Sequence, residues 1–176
     1  MLLRAKSQVA RKRANSPPLA AMPAMTRLLL DNQMCFALYS ASLSMTKVYK
    51  PLLQELGLTY PQYLVMLVLW EQGERSVSEL GARLFLDSGT LTPLLKRLEA
   101  LDFVNRTRDV ADERRVIVAL TTAGTRLQKQ ALAIPLQISC ASECTLPELM
   151  TLTKQLGELR AALLRSTDSA SITGTP

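Results

Sequence analysis

Apolar positions recur along the chain first at helical and then at extended spacing. From about Leu28 to Leu56, residues Met34, Leu38, Ala41, Met45, Val48 and Leu52 alternate steps of four and three. That rhythm predicts a long helix with a seam for packing against other helices. Pro51 should kink or end it, and Gly57 marks the stop. A second helix begins after Thr59, accepts Pro61 in its first turn and runs through Tyr63, Leu64, Leu67 and Trp70 to Gly73. Tyr63 and Trp70 read as core. The stretch from Ser76 to Thr121 is different. Leu80 and Leu84 give one short helix an apolar edge, and Leu91, Leu94, Leu95, Leu98 and Leu101 give the next a buried face. Asp87 or Ser88 caps that second helix, whose first N–H groups lack partners. Two extended runs follow, Phe103 to Asp109 and Arg115 to Leu120, joined by a polar link from Val110 to Arg114. Thr121 then caps a helix interrupted around Pro135. Thr145 and Glu148 form a capping-box pattern opening a last helix, whose Leu149, Leu152, Leu156, Leu159 and Leu163 again step by three and four.

Helix, helix and two-stranded ribbon in this order predict a winged helix-turn-helix, mainly α with a small β-ribbon. The expected divisions are a disordered basic extension at 1–27, an N-terminal dimerisation helix at 28–58, the winged domain at 59–121, C-terminal dimerisation helices at 122–165 and a disordered tail at 166–176. In such a fold the second helix enters a DNA major groove, while the ribbon tip meets the minor groove or phosphates. Opposite its leucines that helix turns out Ser88, Thr90, Thr92, Pro93, Lys96 and Arg97, with hydroxyls for base edges and cations for phosphate or guanine. The ribbon offers Arg106, Arg108, Arg114 and Arg115, and Asp112 is placed to hold the Arg114 guanidinium in a planar pair. Each residue alone reads as a solvated surface; the order of elements favours DNA. A small winged core cannot cover both terminal seams, so a homodimer is expected, with paired recognition helices on a near-palindromic double-stranded operator.

Charge adds less than it first suggests. The 176-residue chain carries +6, but residues 1–27 hold six of its 21 basic residues and none of its 15 acids. The body is neutral, so the DNA reading rests on local clustering and not on net charge. The extension would add weak nonspecific attraction to DNA, and reads at least as well as a solvated segment or a misassigned start, given Met22 and Met25. With 48% hydrophobic residues there is enough for one real core. No apolar run approaches the length of a membrane helix, and no apolar stretch follows the early basic residues as in a secretory signal. Three cysteines without framework spacing suit free thiols in a reducing cytoplasm. The absence of His, of C-x-x-C and of a Gly-rich cofactor loop argues against an enzyme and against any cofactor or metal.

Three stretches, LDNQMCFALYSASLSMTKVYKPLL, LTYPQYLVMLVLWE and LDSGTLTPLLKRLE, together with the wing run from Asp112 to Thr121, carry a resemblance. Over roughly residues 28 to 165 the chain resembles the MarR family of bacterial transcriptional regulators, and more closely its organic-hydroperoxide-sensing branch, OhrR-like and of the two-cysteine type. The resemblance implies a repressor in which Cys35 is the peroxide-reactive thiol and Tyr49 and Tyr60 hydrogen-bond it from the other subunit. It further implies an intersubunit disulfide from Cys35 to a late cysteine. Cys140 matches that position, and Cys144 matches a further cysteine of some members.

The residues permit this chemistry and leave alternatives open. Cys35 and Tyr49 share a helical stripe but stand about 21 Å apart along it, at ~1.5 Å per residue, so contact between them requires two chains. Cys35 lies near its helix start, where the dipole favours thiolate, and phenolic donors would stabilise that further. Met34, Leu38, Met45 and Leu52 would favour an organic hydroperoxide over hydrogen peroxide. By spacing alone, however, Cys35 reads as inert core filler, and Tyr49 and Tyr60 as amphipathic core. If Cys140 and Cys144 share a helix, their Cβ atoms sit ~5–6 Å apart, too far for a local bridge. Two rivals remain: a repressor of the same fold gated by a small aromatic ligand, with the cysteines incidental, and a thiol peroxidase.

Overall fold

A leucine face organises the middle of the chain in the computed structural model, which describes residues 23–112 and 114–172. Helix α4 (Ser88–Ala100) buries Leu91, Leu95 and Leu98 completely, against Leu80 of α3 (Val77–Leu84) and against Val104 and Val118 of the sheet. Truncating such a leucine to alanine typically costs about 2–5 kcal/mol. The caps supply the groups that helix starts lack. Asp87 Oδ1 accepts from the Thr90 N–H at 2.9 Å, and Ser76 and Glu79 form a reciprocal box, Ser76 N to Glu79 Oε2 at 2.7 Å and Glu79 N to Ser76 Oγ at 3.3 Å.

Among the described residues the ribbon belongs to a three-stranded antiparallel sheet. β1 (Arg75–Ser76) pairs with β3 (Val116–Leu120), which pairs with β2 (Val104–Arg108). Val104 faces Leu120, Arg106 faces Val118 and Arg108 faces Val116. β1 is a two-residue strand, too short for any alternation to reveal it in sequence. Leu101 also differs from expectation: α4 ends at Ala100, so Leu101 leaves the buried face and is 44% exposed. Leu94 is half-buried.

The chain divides into two compact units between Lys47 and Val48, within the continuous helix α1 (Met34–Gln54). In the first unit, 3-10 turns at Ala24–Leu28 and Leu30–Asn32 occupy the start of the expected helix, and Asn32 and Gln33 side chains donate back to Thr26 and Arg27 carbonyls. Residues 24–27, expected to be disordered, thus lie in a 3-10 turn; residues 1–22 of that expected extension lie outside the described residues. Pro51 neither kinks the chain to a stop nor ends α1, which runs three residues further to Gln54; Gly57, at φ +66°, makes the turn.

In the second unit α2 (Tyr60–Gln72) follows, with Pro61 in its first turn and Gly73 at φ +74° at its end. α5 (Thr122–Ala131) and α6 (Ile134–Ala141) replace a single interrupted helix. The break falls at Leu132–Ala133, because Pro135 is favoured in a helix's first turn and not in its interior. α7 (Leu146–Ile172) continues past Arg165, where the sequence places a disordered tail. Ser166 Oγ satisfies the Leu163 carbonyl there at 2.7 Å, a bond that polar residues make inside helices as well as in loops. Among the described residues much of the seams of α1 and α7 is exposed, at Met34, Leu38 and Met45 in α1 and at Leu152, Leu156 and Leu163 in α7, while Leu52 packs half-buried against the core. No helix among the described residues is long and apolar enough to cross a membrane.

Gly124 sets how closely α5 meets the sheet. Thr121 Oγ1 accepts its N–H at 3.0 Å, Trp70 Nε1 donates to its carbonyl at 3.0 Å, and an added Cβ would lie 2.0 Å from the Phe103 carbonyl oxygen. Gly124→Ala is therefore expected to destabilise the fold by about 3 kcal/mol, since backbone cannot yield as a flexible side chain would. Denaturant unfolding followed by circular dichroism checks this; an unchanged midpoint would contradict the close approach.

Candidate functional site

Burying the leucines of α4 obliges its other face outward. Ser88, Thr90, Pro93, Lys96 and Arg97 are exposed and Thr92 is half-buried. Two hydroxyls already donate within the chain, Thr90 Oγ1 to Asp87 Oδ2 at 2.7 Å and Thr92 Oγ1 to the Ser88 carbonyl at 2.7 Å, and they keep acceptor capacity. The Thr90 bonds also hold the Asp87 carboxyl below its ordinary range. Pro93 has no N–H to return to the helix. The face is thus short-chained near its start and cationic near its end.

The wing separates its arginines. Arg108 and Arg114 are exposed and make no ion pair with other described residues. Arg106 faces inward: Nε donates to Glu99 Oε2 at 2.8 Å and Nη2 to the same oxygen, which ties β2 to α4. Arg115 lies 3.7 Å from Glu79 and 3.8 Å from Asp109. Asp112 does not pair with the Arg114 guanidinium. Its Oδ1 accepts the Arg114 backbone N–H at 3.0 Å, a local turn bond that leaves the side chain outward. Of the expected ribbon cations, Arg108 and Arg114 are the ones without an ion pair among the described residues, and Arg106 braces β2 on Glu99.

Tyr49 and Tyr60 come together, with ring centroids 4.8 Å apart, and Tyr63 continues the stack at 6.0 Å from Tyr49. Tyr63, read as plain core, is a third member; its spacing from Tyr60 within α2 was the available signal. Burial, then the neighbouring Tyr60 and Tyr63 phenols, push the Tyr49 hydroxyl up to about 12, and burial raises the other two. All three are neutral donors at ordinary pH. An open cleft of about 250 Å³ lies beside this stack, lined in part by Tyr63, Leu67, Trp70 and Leu132.

All three cysteines are free thiols. Cys35 is exposed in the first turn of α1, and Cys140 is exposed near the end of α6. Cys144 does not share a helix with Cys140. The chain turns at Ser142 and Glu143, the latter at φ +53°, and the half-buried Cys144 Sγ donates to the Ser142 carbonyl at 3.2 Å.

These features define a winged helix-turn-helix protein. Residues 47–131 match the family model described as transcriptional regulator SarA/Rot. The chain is 52% identical over 106 residues to the organic hydroperoxide resistance transcriptional regulator of Bacillus subtilis, covering 60% of this chain and 72% of that one. Among solved structures it resembles AbfR of Staphylococcus epidermidis, described as reduced and bound to DNA, at 34% identity and a TM-score of 0.67 over 81% of this chain and 99% of that one. It also resembles the disulfide-formed AbfR, at 36% identity and a TM-score of 0.54 over 77% and 95%. The chain belongs to the MarR family of DNA-binding transcriptional regulators, in the branch of organic hydroperoxide resistance regulators.

Two outcomes follow from these ionisations. The Tyr49 phenol has its folded value raised above 10.0, so its stabilising contribution is complete below that pH and is lost as pH rises through about 12. Unfolding free energy should fall across that window, and less steeply in Tyr49→Phe; equal slopes would remove Tyr49 as the cause. Glu99 has its carboxyl lowered from 4.5, chiefly by the Arg106 hydrogen bond, so this support is present above 4.5 and lost as pH falls through the depressed value. An NMR titration of Glu99 should return towards 4.5 in Arg106→Gln.

Proposed function

We propose that the protein is a homodimeric, redox-sensing repressor that releases its operator when organic hydroperoxides oxidise Cys35. The observation that carries this is the place of Cys35: an exposed thiol in the first turn of a helix whose seam residues Met34, Leu38 and Met45 are exposed among the described residues. A second copy would cover the seams of α1 and α7 and bring apolar side chains around the thiol. The relative from Bacillus subtilis is a regulator of organic hydroperoxide resistance, and AbfR exists in reduced, DNA-bound and disulfide forms. Both support the reading.

In the reduced dimer, α4 of each chain enters a major groove through Ser88, Thr90, Pro93, Lys96 and Arg97, with Thr92 behind them. Arg108 and Arg114 reach phosphates or the minor groove beyond. Two-fold symmetry matches a near-palindromic operator. The Cys35 thiolate attacks the peroxide O–O bond, giving Cys35 sulfenic acid and an alkoxide that takes up a proton to leave as the alcohol. The thiol of Cys140 in the partner chain then attacks the sulfenic sulfur; the S–S bond forms and water leaves. Tyr49 and Tyr60, neutral donors side by side, stabilise the reactive thiolate across the subunit junction. The exposed Cys140 suits the resolving role better than Cys144, whose Sγ–H is engaged with the Ser142 carbonyl. The bridge draws the terminal helices together and turns the two α4 helices out of register with successive grooves. Losing one bidentate base contact already costs about 1–3 kcal/mol.

A second reading has one observation behind it. The open cleft beside Tyr63 and Trp70 could admit a small aromatic effector, with the cysteines incidental. Both readings meet in one experiment. A duplex retained by the reduced protein from a random-sequence pool is bound with and without one equivalent of cumene hydroperoxide, and the same samples are run on a non-reducing gel. Release together with a covalent dimer, both lost in Cys35→Ser and the dimer lost in Cys140→Ser, is expected. Release in Cys35→Ser would overturn the sensor, and effector-driven release in a cysteine-free variant would establish the second reading.

A further inference from the structure

The turn between α3 and α4 carries an unusual residue. Phe85 caps α3 in the left-handed conformation, at φ 57° and ψ 39°, where glycine or asparagine is the ordinary occupant. A bulky side chain there is strained. The ring does not repay the strain by burial, because Phe85 is 55% exposed. It meets instead the guanidinium of Arg160 from α7, 4.4 Å from the ring centroid. Arg160 makes no ion pair with other described residues. Two residues beyond Phe85, Asp87 caps α4, and the intervening Leu86 N–H donates to the Gly81 carbonyl at 3.0 Å. The backbone at Phe85 therefore sets the direction in which α4 leaves the turn. Gly81 keeps that turn tight, since a Cβ there would lie 2.8 Å from the Leu86 carbonyl oxygen.

We infer that the Phe85 ring and the Arg160 guanidinium form the contact by which the last helix holds the helix-turn-helix turn, making both positioning residues for DNA binding. The inference rests on the DNA-binding reading above and deepens it, by naming where movement of the terminal helices reaches α4. A cation over an aromatic face is held by the ring quadrupole, so the contact is directional and fails when α7 slides along its axis. Oxidation that moves α7 would release the turn and with it the orientation of the recognition helix.

Phe85→Gly separates this role from a merely structural one. It removes the ring and also the left-handed strain, so thermal stability should hold or rise while affinity for the pool-selected duplex falls about two- to fivefold, the range of an exposed cation–π contact. Arg160→Ala should lose the same factor, Arg160→Lys should keep part of it, and the double variant should lose no more than either single one. Unchanged affinity in both single variants, or losses that multiply in the double variant, would overturn the inference. If the unmodified protein retains no duplex from the pool, the DNA-binding reading itself fails and the contact loses its role with it. The two failures are thus distinct.

Discussion

The burial of one leucine face constrains the rest of the winged domain. Leu91, Leu95 and Leu98 must leave water together, and a helix that satisfies them can present only one remaining surface. The short hydroxyl side chains and the terminal cations of α4 face outward because the leucines face inward. The sheet and α3 serve the same burial from two sides, and Gly124 lets α5 close the base of the domain. The outward face proposed for DNA is in this sense a consequence of core packing. The cations of α4 do not have to hold the helix in place, which leaves them free for phosphate.

The neighbouring arginines illustrate a division of labour that charge alone conceals. Arg106 and Arg108 differ by two positions on one strand and so share a face, yet Arg106 meets Glu99 while Arg108 is exposed. One braces the ribbon against α4; the other is left to solvent. The tyrosine stack is a comparable case. Tyr49 lies near the end of α1 and Tyr60 at the start of α2, and the tight connection at Gly57 brings their rings together. Burial raises the pH at which these phenols would ionise, so they stay neutral even in alkali that ionises an exposed tyrosine.

The parts of the fold set by local chemistry were legible in the sequence: the caps at Asp87, Thr121 and Thr145, the glycine stops, and the leucine periods that mark each helix. What escaped depends on tertiary partners or on tolerance. β1 is only two residues long and exists because β3 has a free edge. Pro51 sits in the last turn of its helix, three residues from the end, and α7 extends through serines and threonines that also suit a coil. Within the candidate site, the outward face of α4 followed from periodicity. The inward turn of Arg106 did not, because nothing in spacing tells which acid seven residues away a guanidinium will find. Asp112 likewise chose the nearer backbone amide over the side chain two residues on.

The exposed seam residues of α1 and α7 lie on either side of the winged domain in the sequence, and the residues proposed to face DNA lie between them. Damage to one leaves the other intact. If the seams pair two copies, a chain with a ruined α4 surface would still be a competent mate. Mixed with normal chains it would draw them into assemblies with a single working reading head. The loss would then exceed the fraction of defective chains, and a lesion confined to one gene copy would behave as dominant over the sound one.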